Sequence, residues 1–389
     1  MAQAQSALAG IVILDLANYG PGARCTRILA DYGARVIKVA APPGRAGAPA
    51  PIFHAYAARR GWQQAHINLK APAGRDAFLA LAERADVVVE SFRPGTAARL
   101  GVGYEAVRAR NPGIIYCATS GYGQTGPASG WAGHDLNYLA MGGYLHTGGR
   151  GPAGKPVLPG ATIADAAAGG MHAALAIFAA LLQRGQSGAG AYLDVSVTEG
   201  VLQLMSLHID EHLATGAEPG PGHALLTGRY ACYDTYACAC GGWLAVAAIE
   251  PHFYRNLCRA LDCAQWSERQ FEDSLQEKVR ADFAAAFLRR RRDDWVAALA
   301  PADTCVSPVY GIGELARDAH LNQRGAFVEA AHPEHGTFRQ LAPLLAGMAR
   351  GPVPLRAGDA AHSETAELLR GAGFGEAQLT ALRESGSIA

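Results

Sequence analysis

Apolar residues along this chain recur with two alternating periods. Short, nearly continuous apolar runs appear at "GIVILDL", "ARVIKVA", "ADVVVE", "GIIYCATS" and "AYLDVSV", all within the first 200 residues. Runs of this length suit strands buried on both faces. Between them, segments such as "ARCTRILADYG" and "GRDAFLALAERA" place apolar residues at helical spacing. Strands alternating with helices predict a parallel sheet covered on both sides, a large Rossmann-like α/β domain spanning residues 1–219. A long helical pattern occupies 197–215 and gives way to the Gly/Pro-rich "TGAEPGPGHALLTG", which reads as a linker. Residues 229–247 then read as a hairpin, followed by helical segments at 251–261, 277–290 and 293–299. These define a smaller α+β domain at 220–325. The remainder, 326–389, is Pro/Ala-rich, ends in the helix-like "EAQLTALRESG" and is expected to return to the large domain. No internal repeat is visible.

Composition narrows the function. Of 389 residues half are hydrophobic and 17% charged, which fits a chain with a large buried core and argues against disorder. The formal net charge is zero and only four of the basic residues are lysines, so neither a nucleic-acid footprint nor a polybasic membrane patch is indicated. The thirty arginines are the better residue for bidentate phosphate recognition. The balance favours a small-molecule enzyme.

The eight cysteines are sparse and irregular, and Cys238-Ala-Cys240 lacks a second pair at zinc spacing. All are read as reduced thiols of a cytoplasmic protein. The N-terminal "MAQAQSALAGIVILDL" has no basic region or cleavage site of a signal peptide. The most apolar stretch, 166–182, carries His172 and two glycines and is short for a membrane span of about 20 residues, so a buried helix is expected.

Two motifs invite over-reading. Gly121-Tyr-Gly123-Gln-Thr-Gly126 spells a dinucleotide-binding loop after a strand-like run, but Pro127 and "ASGWAG" follow with no helical period. A fingerprint of that kind must open a helix whose N-terminus faces the pyrophosphate. A similar spelling, "GVGYEA" at 101–106, follows a helical segment and is weaker still. His208-Ile-Asp-Glu211-His212 spells the H-x-x-E-H of inverted zinc proteases, yet no partnered glutamate helix stands out downstream. It reads as a polar patch on an apolar helix, and no metal is expected.

His134-Asp135 is a sharper constellation. Downstream comes "TIADAAAGGMHAALAIFAALLQR", with Asp165 where a long apolar helix starts. Two readings of Asp165 stand side by side, a simple N-cap and a functional carboxylate. The same geometry serves both. The helix dipole and free N–H groups stabilise a carboxylate there, and Gly169 and Gly170 would let a ligand or a partner backbone approach one turn later.

"AGHDLNYLAMGGYLHTGGRG" followed by "ADAAAGGMHAALAIFAALLQRGQSGAGAYLDVSVTEG" resembles the α-methylacyl-CoA racemase branch of the class III CoA-transferase family. "GPGARCTRILADYGARVIKV", "VVVESFRPGTAARLGVGYEAV", "YCATSGYGQTGP", "YDTYACACGGWLAVAAIEPHFY" and "DTCVSPVYGIGEL" continue the resemblance in family order over nearly the whole chain. The resemblance implies a histidine and an aspartate facing the α-carbon of an acyl-CoA from opposite sides, here His134 and Asp165, with Glu250 orienting the histidine. Transferases of the family use the shared aspartate as a nucleophile, usually lack the histidine and carry a glycine-rich loop before the small-domain strands. "HALLTGRYACYD" has no glycine run, so the racemase branch is the closer match and transfer of CoA between carboxylic acids the alternative.

The implied chemistry suits these residue types. Inverting a carbon beside a thioester carbonyl needs two acid/base groups, one neutral and one ionised at the start of turnover. A carboxylate at a helix N-terminus is expected to stay ionised as base, and backbone N–H groups at that helix start are candidate donors to the enolate oxygen. By the same resemblance Arg93, Arg99 and Lys70 contact the nucleotide end of CoA, and Asp135 and Tyr138 line the acyl pocket. An interlocked homodimer is implied, with the site completed by the partner's small domain, and no metal, flavin or nicotinamide. Two departures stand out. Ala40-Ala41 replaces an acidic residue and a CoA-reaching arginine, and Asn68 in "RRGWQQAHINLK" replaces an aspartate. One nucleotide-facing charge is missing, which raises a third reading, a non-catalytic CoA-binding paralogue.

Overall fold

All five apolar runs become strands of one parallel sheet in the computed structural model, which describes residues 6–17, 19–42, 60–332, 335–348, 355–356 and 362–389. The strands are β1 (Val12–Asp15), β2 (Arg35–Ala40), β3 (Gln63–His66), β4 (Val87–Glu90), β5 (Ile115–Ser120) and β6 (Ala191–Ser196). They lie in the order β3-β2-β1-β4-β5-β6, every neighbouring pair parallel. β3 has no apolar run to announce it. Its "QQAH" is buried nonetheless, because the C-terminal segment supplies its polar partners: Gln64 N–H donates to Glu364 and His66 N–H to Thr365 Oγ1, at 2.8 and 2.7 Å.

Alternation along the strands divides the side chains between two cores. Val87 and Val89 of β4 face one way, with α1 (Gly20–Asp31) and a later long helix. Val88, with Tyr116 of β5, faces the other, against α2 (Pro72–Ala82) and the C-terminal helices Thr365–Gly371 and Glu376–Glu384. Phe78 of α2 is wholly buried there; a side chain of that size contributes roughly 1.5–3 kcal/mol through burial. After β4 come α3 (Thr96–Arg99) and α4 (Tyr104–Arg110); after β5 comes α5 (Asp135–Met141).

The apolar stretch 166–182 lies in two consecutive helical segments. Ala164–Met171 winds in wide π turns and runs into α6 (His172–Ser187). The buried-helix expectation needs correction. Ala173, Ala174, Ile177 and Ala180 are buried, but Met171, Leu175 and Leu182 are exposed. The combined 24-residue helix is long and apolar enough to cross a membrane by length and composition alone, although its small-residue side packs into the core. Likewise, the helical pattern 197–215 splits at Met205 into α7 (Val197–Leu204) and Ser206–Thr215.

Two compact units emerge. The first comprises Met1–Gly143, Pro159–Ser206 and Ala319–Ala389; the second Tyr144–Leu158 and Leu207–Asp318. The division thus falls at the end of α7, before the Gly/Pro-rich stretch that suggested residue 219, and an excursion at 144–158 joins the second unit. Within that unit β7 (Tyr233–Ala237) and β8 (Trp243–Ala247) form the expected hairpin, and β9 (Val306–Val309) completes an antiparallel sheet. Helices Pro251–Ala260, Gln276–Phe287 and Arg292–Leu299 accompany it. Its own core contains Tyr236, Leu244, Tyr254, Phe283 and Trp295, the last donating from Nε1 to the Phe287 carbonyl at 2.9 Å. The α/β expectation, a Rossmann-like sheet plus a smaller α+β unit, describes the molecule.

Candidate active site

Parallel strands deliver their following loops to one edge of the sheet, where ligands of such folds bind. In the first unit that edge carries a cavity of about 440 Å³, with His134, Tyr138, Asp165 and Arg93 in its lining. The "GYGQTGP" segment leaves β5 here as turns, with Gly123 and Gly126 both at φ +86°. No helix begins between β5 and Asp135, so the segment opens no helix whose N-terminus could meet a pyrophosphate. Gly121 has a different purpose. A Cβ there would lie 2.2 Å from the Tyr138 ring, so only glycine lets that ring lie against the turn. The Tyr138 hydroxyl donates to the Gly133 carbonyl at 2.5 Å, and the ring packs edge-on to Tyr122. Burial, with the Asp165 charge nearby, pushes the phenol up to about 12, leaving it a neutral donor.

His134 immediately precedes α5 in an extended conformation, its backbone N–H donating to Asn137 Oδ1 at 3.1 Å. The backbone is thus satisfied locally, and the exposed imidazole lines the cavity.

Asp165 is the second residue of the wide helix. The capping position is Ile163, and Asp165 makes no cap bond, so the N-cap reading is set aside. Its own N–H instead donates to Asp135 Oδ1 at 2.8 Å. One donor foreseen for an enolate oxygen thus holds a carboxylate in this structure, and the Asp165 carboxyl is pushed up from its ordinary value. Burial is the main cause and the Asp135 charge the next, with Arg24 and His134 pulling the other way. Wide helical turns of this kind recur at functional sites.

Gly169 and Gly170 admit the close approach of a neighbouring backbone, that of α1. A Cβ on Gly169 would lie 2.5 Å from Pro21 Cβ, and one on Gly170 2.8 Å from Arg24 Cβ. They let α1 pack against the wide helix, which brings Arg24 close to Asp165; its Nη2 donates to Thr162 Oγ1 at 2.6 Å.

The remaining positions fall elsewhere. Arg99 ends α3, exposed, with Nη2 donating to Thr96 Oγ1 at 2.8 Å. Lys70 is exposed ahead of α2, its N–H on Asn68 Oδ1 at 3.2 Å. Neither lines the cavity. Glu250 belongs to the second unit, where it is the exposed residue before helix Pro251–Ala260. Sequence reasoning missed Ser120, which is 8% exposed and lines the cavity with a buried Oγ lacking a hydrogen-bond partner. It also missed the Ser91–Thr119 hydroxyl pair at 2.6 Å. Only the strand order brings these together, so no local signal marks them. Among the described residues no group of three His, Cys, Asp or Glu could hold a metal; His212 Nδ1 is engaged with the Ala217 carbonyl at 2.8 Å. None of the eight cysteines is paired.

Residues 8–358 match the sequence profile of CoA-transferase family III. The chain belongs to this family. It is 34% identical over 341 residues to human alpha-methylacyl-CoA racemase, covering 87% of this chain and 86% of the relative. It is also 31% identical over 344 residues, 84% of each chain, to the succinyl-CoA–D-citramalate CoA-transferase of Chloroflexus aurantiacus. A CAIB/BAIF family protein from Brucella suis shares the fold at a TM-score of 0.80 and 24% identity, covering 95% of this chain and all of the other. This family III chain is therefore an enzyme of the CoA-transferase/racemase group.

Proposed function

We propose that the protein is a racemase or epimerase of 2-methyl or otherwise α-substituted acyl-CoA thioesters. The observation that carries this reading is the pairing of His134 and Asp165 in one cavity, close enough for the imidazole to act on the carboxyl. In one direction the Asp165 carboxylate takes the C2 proton, leaving an enolate, and the His134 imidazolium returns a proton to the opposite face. The reverse direction exchanges the two roles. A carboxyl raised above its usual range is a better match for proton transfer near neutrality than an ordinary aspartate. The enolate oxygen needs a donor; the Asp165 N–H serves once the thioester oxygen replaces the Asp135 carboxylate on it. Such a donor is typically worth about 3–4 kcal/mol of barrier. Arg93 would meet the CoA portion, and Glu250, from the small unit of a partner in a cytoplasmic homodimer, would hold the His134 ring. CoA is part of the substrate and no further cofactor is invoked.

The transferase relative at 31% identity supports a second reading, CoA transfer with Asp165 as nucleophile. The two separate cleanly. Incubation with one enantiomer of a 2-methylacyl-CoA in deuterium oxide should place deuterium at C2 and erase optical purity, and His134→Ala should abolish both. Transfer of CoA to added free acids, without deuterium at C2 and undiminished in His134→Ala, would replace the racemase reading with the transferase one.

A further inference from the structure

On the other side of the β4 exit lies a second cavity, of about 540 Å³, that the proposed reaction leaves unused. Ser91 lines the first cavity and Glu90 the second, as alternation along a strand requires. The two are tied through Thr119, whose hydroxyl meets Ser91 Oγ and donates to the Glu90 carbonyl at 2.9 Å.

The second cavity has an unusual lining. Tyr116 of β5, Tyr192 of β6 and Tyr104 of α4 form an aromatic wall, with ring centroids 5.2 to 6.1 Å apart. Glu90 sits at this wall, only 4% exposed, and its Oε2 accepts from the Phe92 N–H at 2.5 Å. Glu105 adds a second carboxylate from α4, and no described lining residue is Lys, Arg or His. Gln124 brings an amide whose Nε2 is buried without an acceptor. A buried carboxyl with no cationic partner is costly unless something neutralises it. Here burial alone, against the single backbone N–H, raises it to about 7.

We infer that this cavity is a second ligand site, one that takes a small organic cation. Tyrosine faces attract ammonium groups through the ring quadrupole, and Glu90 supplies the opposite charge inside a site of drug-like volume. An oxygen on the same ligand would give Gln124 Nε2 the acceptor it lacks. The groups facing Glu90 are consistent with this. Tyr116, Cys117 and Tyr192 are each raised by burial first and by its charge among lesser causes, Asp194 adds another negative charge at Tyr192, and Arg108 is held over the Tyr104 ring at 5.8 Å.

The test is calorimetric titration of the full chain with choline and with tyramine. Each is paired with a neutral isostere, choline with the alcohol in which tert-butyl replaces trimethylammonium, and tyramine with para-propylphenol. The cations should bind, with Kd micromolar to millimolar, and the isosteres should not. Glu90→Gln, which keeps the acceptor for Phe92, should weaken cation binding by about tenfold or more. Tyr192→Leu, at an exposed ring, should weaken it independently. Affinity for the native chain should fall as pH is lowered through about 7, where Glu90 takes up its proton. Equal binding of cation and isostere, unchanged affinity in Glu90→Gln with circular dichroism intact, or no heat with either cation would overturn the inference.

Discussion

Gly200→Ala should damage the candidate site without touching any residue in it. Gly200 lies in α7, and a Cβ there would stand 2.0 Å from the Ala168 carbonyl oxygen and 2.7 Å from its carbon. Ala168 belongs to the wide helix that carries Asp165. These are backbone atoms within hydrogen-bonded turns, so no rotamer can swing aside. Ordinary contact begins near about 3.5 Å, so the two helices must part by roughly 1 to 1.5 Å. Overpacking of this kind costs about 1–3 kcal/mol, and the intrinsic helical preference of alanine returns at most about 1. The larger effect should be on turnover, because misplacing a reacting group by about 1 Å can lose about 10²-fold in rate. Gly185→Ala is the matched control. Gly185 sits in α6 and a Cβ added there would meet nothing within 4 Å, so the same substitution should stabilise by roughly 0.5–1 kcal/mol and leave turnover alone. Thermal melts and α-proton exchange rates for both variants decide the matter. If Gly200→Ala melts and turns over like Gly185→Ala, the close packing of α7 on the wide helix is not what positions Asp165.

Three further outcomes follow from the charges. Asp135→Asn keeps an oxygen acceptor for the Asp165 N–H but removes the neighbouring charge that helps raise its carboxyl. The acid limb of the exchange-rate profile should therefore move to lower pH, and an unmoved limb would refute the coupling. Asp165→Asn should lose exchange yet gain stability at neutral pH. A carboxyl raised in the folded state binds its proton more tightly there, so stability is greatest below the ordinary carboxylate range and declines as pH rises through the folded value. The melting-temperature difference between variant and native chain should accordingly close near pH 4. Glu90→Gln follows the same sign on a larger scale. With Glu90 raised from 4.5 to about 7, its ionisation costs up to about 3 kcal/mol. The variant should gain about 2–3 kcal/mol at alkaline pH, and the gain should vanish as pH falls below the ordinary carboxylate range, measured by denaturant unfolding at alkaline and acid pH.

Most of the sheet was legible because a strand buried on both faces must be apolar along its whole length. β3 was not, since its "QQAH" is satisfied by Glu364 and Thr365, some 300 positions away, and no window of sequence contains both halves of that pairing. The same distinction runs through the site. His134 and Asp165 could be singled out by residue type and by family resemblance, but the state of Asp165 could not, because it depends on neighbours that only the fold assembles. Sequence reasoning treated the helix start as a source of free N–H groups that keep a carboxylate ionised. In the folded chain Asp135, 30 residues back, occupies one of those groups and adds its own negative charge. His134 and Asp135 therefore pull Asp165 in opposite directions, the imidazole lowering its proton affinity and the carboxylate raising it. A substrate thioester that took the Asp165 N–H would displace Asp135 and weaken the raising influence at the moment of binding. Burial, the larger of the two raising influences, would remain, so displacement of Asp135 offsets only the second of them.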